Sequence, residues 1–96
     1  MRYNMIEKCY TDENGELKVE MSKEAARDIC IVIESYREGY YEQSRSNCDS
    51  DERDSALGEY IAYNFLSSEE EEYVANIGYL KFCEVVEAKA RKLIGY

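Results

Sequence analysis

Nine carboxylates crowd one quarter of the chain: Asp49, Asp51, Glu52, Asp54 and Glu59, then Glu69, Glu70, Glu71 and Glu72. Clustered carboxylates can hold a hard cation, share protons in acid–base catalysis, or present negative charge to a basic partner. The first use fails on spacing as a dedicated calcium site, which leaves open only weak magnesium or calcium binding to the clustered carboxylates. An EF-hand loop needs glycine at its sixth position and glutamate at its twelfth. A loop starting at Asp49 has Asp54 and Tyr60 there, and one starting at Asp12 has Leu17 and Lys23. The second use needs a shaped pocket that drives two carboxyl pKa values apart, and acids on polar helix faces give no sign of one. The chain contains no histidine, which excludes Ser–His and Cys–His arrangements, and no Gly-rich phosphate loop. Cys9, Cys30, Cys48 and Cys83 lie far apart with no C-x-x-C pair, whereas zinc sites usually begin with close pairs. Cys30 and Cys83 fall on apolar helical faces, where a thiol behaves as a small hydrophobe. The expectation is a non-enzymatic chain with no cofactor and no metal.

The third use remains. Net charge is −9, and residues 48–72 hold one basic residue, Arg53, against the nine acids. Residues 73–96 are net basic, with Lys81, Lys89, Arg91 and Lys92 against Glu84 and Glu87. Free nucleic acid and anionic membranes are repelled by such a chain, so a partner chosen by electrostatics is itself basic. The stretch "SSEEEEY", Ser67 to Tyr73, reads first as a helix start. Ser67 with Glu70, and Ser68 with Glu71, fit the capping-box spacing. Each carboxylate in a first turn gains about 0.3–1 kcal/mol from the helix dipole. Two would suffice; four repel one another slightly and spread charge around the helix. Tyr60, Tyr63 and Tyr73 are interleaved with them. An exposed ring can fill a slot built for a base or cover an arginine.

The elements that must position these groups follow from periodicity. Residues Tyr3 to Tyr10 alternate loosely, with Tyr3, Met5 and Cys9 on one side. "TDENGE" supplies a turn at Asn14-Gly15, and Leu17, Val19 and Met21 then share one face of a second strand. Ser22 is an N-cap for a helix over residues 23–42, whose stripe is Ala26, Ile29, Cys30, Ile33, Tyr36 or Arg37, and Tyr40, with Val32 at its edge. A second helix runs over 51–66 with Leu57, Tyr60, Ile61, Asn64 and Phe65 inward. A third runs over 69–93 with Tyr79, Phe82, Cys83, Val86, Ala90 and Leu93 on one side and Val74, Ile77 and Leu80 on another. About 25 residues span about 40 Å, so this helix either kinks near Gly78 or overhangs the domain. An overhang with two apolar sides implies a homodimer. Tyr41, Tyr63, Tyr73 and Tyr96 are expected to be exposed.

The fold class read from these elements is α+β, mainly α: one domain over 1–96, an N-terminal β-hairpin followed by a three-helix bundle with a long C-terminal helix. No apolar run approaches the length of about 20 residues that spans a bilayer, and the N-terminus has no apolar signal core. A cytoplasmic protein is expected.

In size, acidity and tyrosine content the chain is similar to phage-encoded inhibitors of bacterial immunity, the anti-CRISPR and antirestriction proteins. The similarity is one of overall character, and no motif carries it. It implies a protein of the bacterial host cytoplasm that presents carboxylates in place of phosphates and blocks the basic channel of a nucleic-acid-binding effector or nuclease. The partner-binding residues are then Asp49, Asp51, Glu52, Asp54, Glu59, Tyr63, Glu69, Glu70, Glu71, Glu72 and Tyr73. Reversing Asp51, Glu52, Glu70 and Glu71 to lysine is expected to abolish binding with the fold intact. The alternative is a helical homodimeric adaptor whose acidic face only confers solubility.

Overall fold

The computed structural model describes residues 5–43 and 50–95, with the side chains of 40–43 and of Ser50 left aside. The expectations placed on Tyr3, Tyr40, Tyr41, Cys48, Asp49 and Tyr96 lie outside these described residues. Strands β1 (Lys8–Thr11) and β2 (Leu17–Glu20) form the hairpin, and helices α1 (Lys23–Gln43), α2 (Ser50–Phe65), α3 (Ser68–Ile77) and α4 (Tyr79–Ile94) follow. The fold is α+β and mainly helical, as the periodicity indicates.

The strands pair antiparallel, with Cys9 opposite Val19 and Thr11 opposite Leu17. Asp12 makes the turn: its Oδ1 accepts from the amides of Asn14 and Glu16, both at 2.9 Å, an Asx turn in which the side chain takes the place of a backbone carbonyl. Leu17, Val19 and Met21 are buried on the inner face. The outer edge of the hairpin is tied down by the Ile6 amide, which donates to the Phe65 carbonyl at 2.9 Å. Ile6 is buried and Met5 is exposed, the reverse of the loose alternation expected there, because Ile6 is held against the end of α2.

Ala25, Ala26, Ile29, Cys30, Val32 and Ile33 bury the inner side of α1. Ser22 caps it, its Oγ accepting from the Ala25 amide at 3.2 Å. α4 is the central element, packed chiefly on α2 and α1 and also carrying β2. Its Phe82, Cys83, Val86 and Ala90 are fully buried against Leu57, Ile61 and Phe65 of α2. α2 and α4 approach tightly at Gly58, where any Cβ would overlap the Tyr79 carbonyl.

The expected long helix is two helices. Gly78 adopts φ 121° and ψ 130°, a region essentially reserved for glycine. It ends α3 by donating its amide to the Val74 carbonyl at 2.8 Å, and its own carbonyl accepts from Phe82 at 3.2 Å to start α4. The radius of gyration is 13.1 Å, as expected for a compact chain of this length. The overhang from which a homodimer was inferred does not form. Val74 is buried, Leu80 half-buried and Ile77 exposed at 38 %. Among the described residues no helix is long and apolar enough to cross a membrane.

Candidate functional site

The acidic residues divide into two populations once the fold is in place. Asp51 and Glu52 are exposed in the first turn of α2, where the helix dipole favours anions. Glu52, Ala56, Glu59 and Tyr63 recur at spacings of four, three and four, which places them on one stripe of α2. Glu59 is exposed and Tyr63 is 74 % exposed. α3 starts three residues after α2 ends, so the acidic turn of α3 lies at the far end of this stripe. The two ends are separated by the length of α2, about 24 Å.

Within α3 the four consecutive glutamates point in different directions. Glu69 and Glu72 face solvent. Glu71 is half-buried beside α2, lining a cleft with Glu59, Tyr60 and Tyr63. Glu70 turns inward onto the hairpin. Ser67 caps α3 by accepting from the Glu70 amide at 3.3 Å, and its hydroxyl donates to Glu70 Oε1 at 3.1 Å. The other carboxylate oxygen, Oε2, accepts from the Cys9 amide of β1 at 3.2 Å. Tyr73 is 38 % exposed, but its hydroxyl is hydrogen-bonded to that of Thr11. The start of α3 is thus fastened to β1 by two of the residues expected to meet a partner.

Asp54 is also committed internally. Its Oδ1 accepts from Arg53 Nε at 2.9 Å and from Arg37 Nε and Nη2 at 3.3 Å. Arg37 also grips Glu87 in a two-pronged pair, Nη1 to Oε2 at 2.8 Å and Nη2 to Oε1 at 2.7 Å. Arg91 Nε donates to Glu87 Oε2 at 3.0 Å. Three arginines and two carboxylates from α1, α2 and α4 form one half-buried network, with Arg53 itself only 8 % exposed. The hydrogen bonds from Arg37, then those from Arg91, hold the Glu87 carboxyl below the usual carboxylate range against the opposing effect of burial. Sequence reasoning missed this network because Arg37 and Glu87 lie 50 positions apart.

Of the expected contact residues, then, the fold brings Glu52, Glu59, Tyr63 and Glu71 together along one ridge, with Asp51 exposed at its start and Glu69 and Glu72 at its end. It draws Asp54, Glu70 and Tyr73 into structural roles. Tyr60, expected to point inward, is 42 % exposed at the rim of this ridge and contacts the Tyr36 ring at 5.9 Å.

The three thiols among the described residues, Cys9, Cys30 and Cys83, are held toward the protonated form. Burial, then the Glu70 charge, pushes Cys9 up to about 11. Burial, with Asp54 next, pushes Cys83 up to about 12, and burial raises Cys30 as well. Among the described residues no group of three or more cysteine, aspartate or glutamate side chains converges as a metal site. Comparisons with protein-family models, with curated proteins and with solved structures give no match to this chain.

Proposed function

We propose that this chain is a non-enzymatic inhibitor that presents carboxylates in place of phosphates and occupies the basic nucleic-acid channel of a bacterial defence protein, in the manner of anti-CRISPR and antirestriction proteins. The observation that supports it is the ridge from Glu52 through Glu59 and Tyr63 to Glu69 and Glu72. Its exposed acids interrupted by an aromatic ring extend for about 24 Å, a span of several phosphates at about 3.4 Å of axis per strand. Glu52, Glu59, Glu69 and Glu72 have no ion-pair partner among the described residues, so their charge is presented outward rather than neutralised.

The test is capture from bacterial lysate with the wild type beside a variant carrying Glu52→Lys, Glu59→Lys, Glu69→Lys and Glu72→Lys. Asp54 and Glu70 are left alone because they hold the fold. A nucleic-acid-binding protein retained by the wild type only, and displaced by added DNA or RNA, is the expected result. Retention of the same protein by both baits would remove the ridge from consideration.

A further inference from the structure

The ridge contains a cleft whose lining is more specific than charge alone. It has a volume of about 450 Å³ and lies where α1, α2 and α3 meet, walled by Tyr36, Tyr60, Tyr63, Asn64, Glu59 and Glu71. Resting on the reading above, we propose that this cleft receives an arginine side chain of the basic partner.

The chemistry of the walls selects the occupant. Among the described residues no lysine or arginine lines the cleft. Glu59 and Glu71 bring two carboxylates, one from α2 and one from α3, and neither has an ion-pair partner among the described residues. An anionic or phosphate-bearing ligand is repelled by that pair. A hard divalent cation needs six or more oxygen ligands, whereas this lining offers two carboxylates and one amide beside three tyrosine rings and Ala56. A cation that also has a flat face fits best. Guanidinium stacks on aromatic rings and meets carboxylates with paired N–H donors, whereas the ammonium of lysine is a compact, strongly hydrated point charge. The Tyr36 and Tyr60 rings meet at 43° with centroids 5.9 Å apart, so their faces are splayed rather than stacked shut. Charge complementarity and ring geometry therefore point to the same group.

The probe is a pair of peptides of equal length, an arginine–glycine repeat and a lysine–glycine repeat, titrated into the intact protein at low salt by calorimetry. The arginine peptide is expected to bind about fivefold more tightly, the scale of a partly desolvated cation–π contact. Tyr60→Ala with Tyr63→Ala should remove that preference and leave two weak, equal affinities. Tyr60→Phe with Tyr63→Phe keeps the rings and should keep the preference, which separates loss of the ring from loss of the fold. Glu52→Lys with Glu69→Lys, outside the cleft, should weaken both peptides alike and leave the ratio unchanged. Equal affinity of the wild type for both peptides would overturn the proposal, as would a preference that survives the alanine pair or is lost in the phenylalanine pair. The two readings fail separately. Loss of lysate capture with the arginine preference intact removes the nucleic-acid-binding partner and leaves the cleft, and the converse removes the cleft alone.

Discussion

Glu87 accepts from two arginines, one on α1 and one on its own helix, and its fate under acid follows from that. Because Arg37 and Arg91 keep its carboxyl below the ordinary range, the native protein binds this proton less readily than the unfolded chain does. The stabilisation is complete above the unfolded value, about pH 4.3, and is lost as pH falls through the lowered native value. Urea midpoints measured from pH 6 downward should therefore fall more steeply for the wild type than for Glu87→Gln. At neutral pH the same substitution should cost roughly 2 kcal/mol, the scale of hydrogen bonds to charged groups. Parallel acid limbs in the two proteins would mean that another carboxylate governs acid unfolding. Asp54 and Glu70 teach a related lesson. Each looks like its neighbours in sequence, and only the approach of α1 to Asp54 and of β1 to Glu70 distinguishes them from the exposed acids beside them. Nothing local encodes those approaches, so the acidic quarter was legible as a whole while its division was not.

At the scale of elements much more was readable. The Ser22 and Ser67 caps, the turn before Leu17 and the stripes of α1 and α4 are all local signals, and each appears where its pattern places it. Tyr60 escapes its stripe because the edge of an amphipathic face cannot be told from its centre by spacing alone. The break at Gly78 was one of two outcomes that helix length allowed, and packing decided it. Two glycines now carry distinct tests. Gly78→Ala forces a residue with a Cβ into a positive-φ region and should cost about 1–3 kcal/mol. Gly58→Ala leaves a helical backbone but drives a methyl group into the Tyr79 carbonyl. It should cost more, since neither α2 nor α4 can yield without disturbing Leu57, Ile61 and Phe82 between them. Urea midpoints compare the two, and a Gly58→Ala protein as stable as the wild type would show that these helices slide apart freely.

Among the described residues charge is unevenly distributed. The ridge on α2 and α3 is acidic, whereas the cleft of about 530 Å³ between β2 and α4 is mixed, with Lys81, Lys89 and Lys92 of α4 facing Glu16, Lys18 and Glu20 of the hairpin. A basic partner of the kind proposed would thereby be oriented as well as attracted, and such steering weakens as salt is raised. The seam at Gly78 has a thermodynamic counterpart. α3 buries Val74, while α4 buries Phe82, Cys83, Val86 and Ala90, and cooperative units divide where few buried contacts cross. Amide hydrogens in the second half of α3 should thus exchange with solvent well before those in the middle of α4, through an opening that leaves the rest of the molecule closed. Identical exchange in both helices would instead mean that the chain opens as one unit. On the expected pattern, the glutamates of α3 sit at the fastened end of the helix whose other end yields first, and a ligand settling on them would be registered as slowed exchange along that helix before any change in the core.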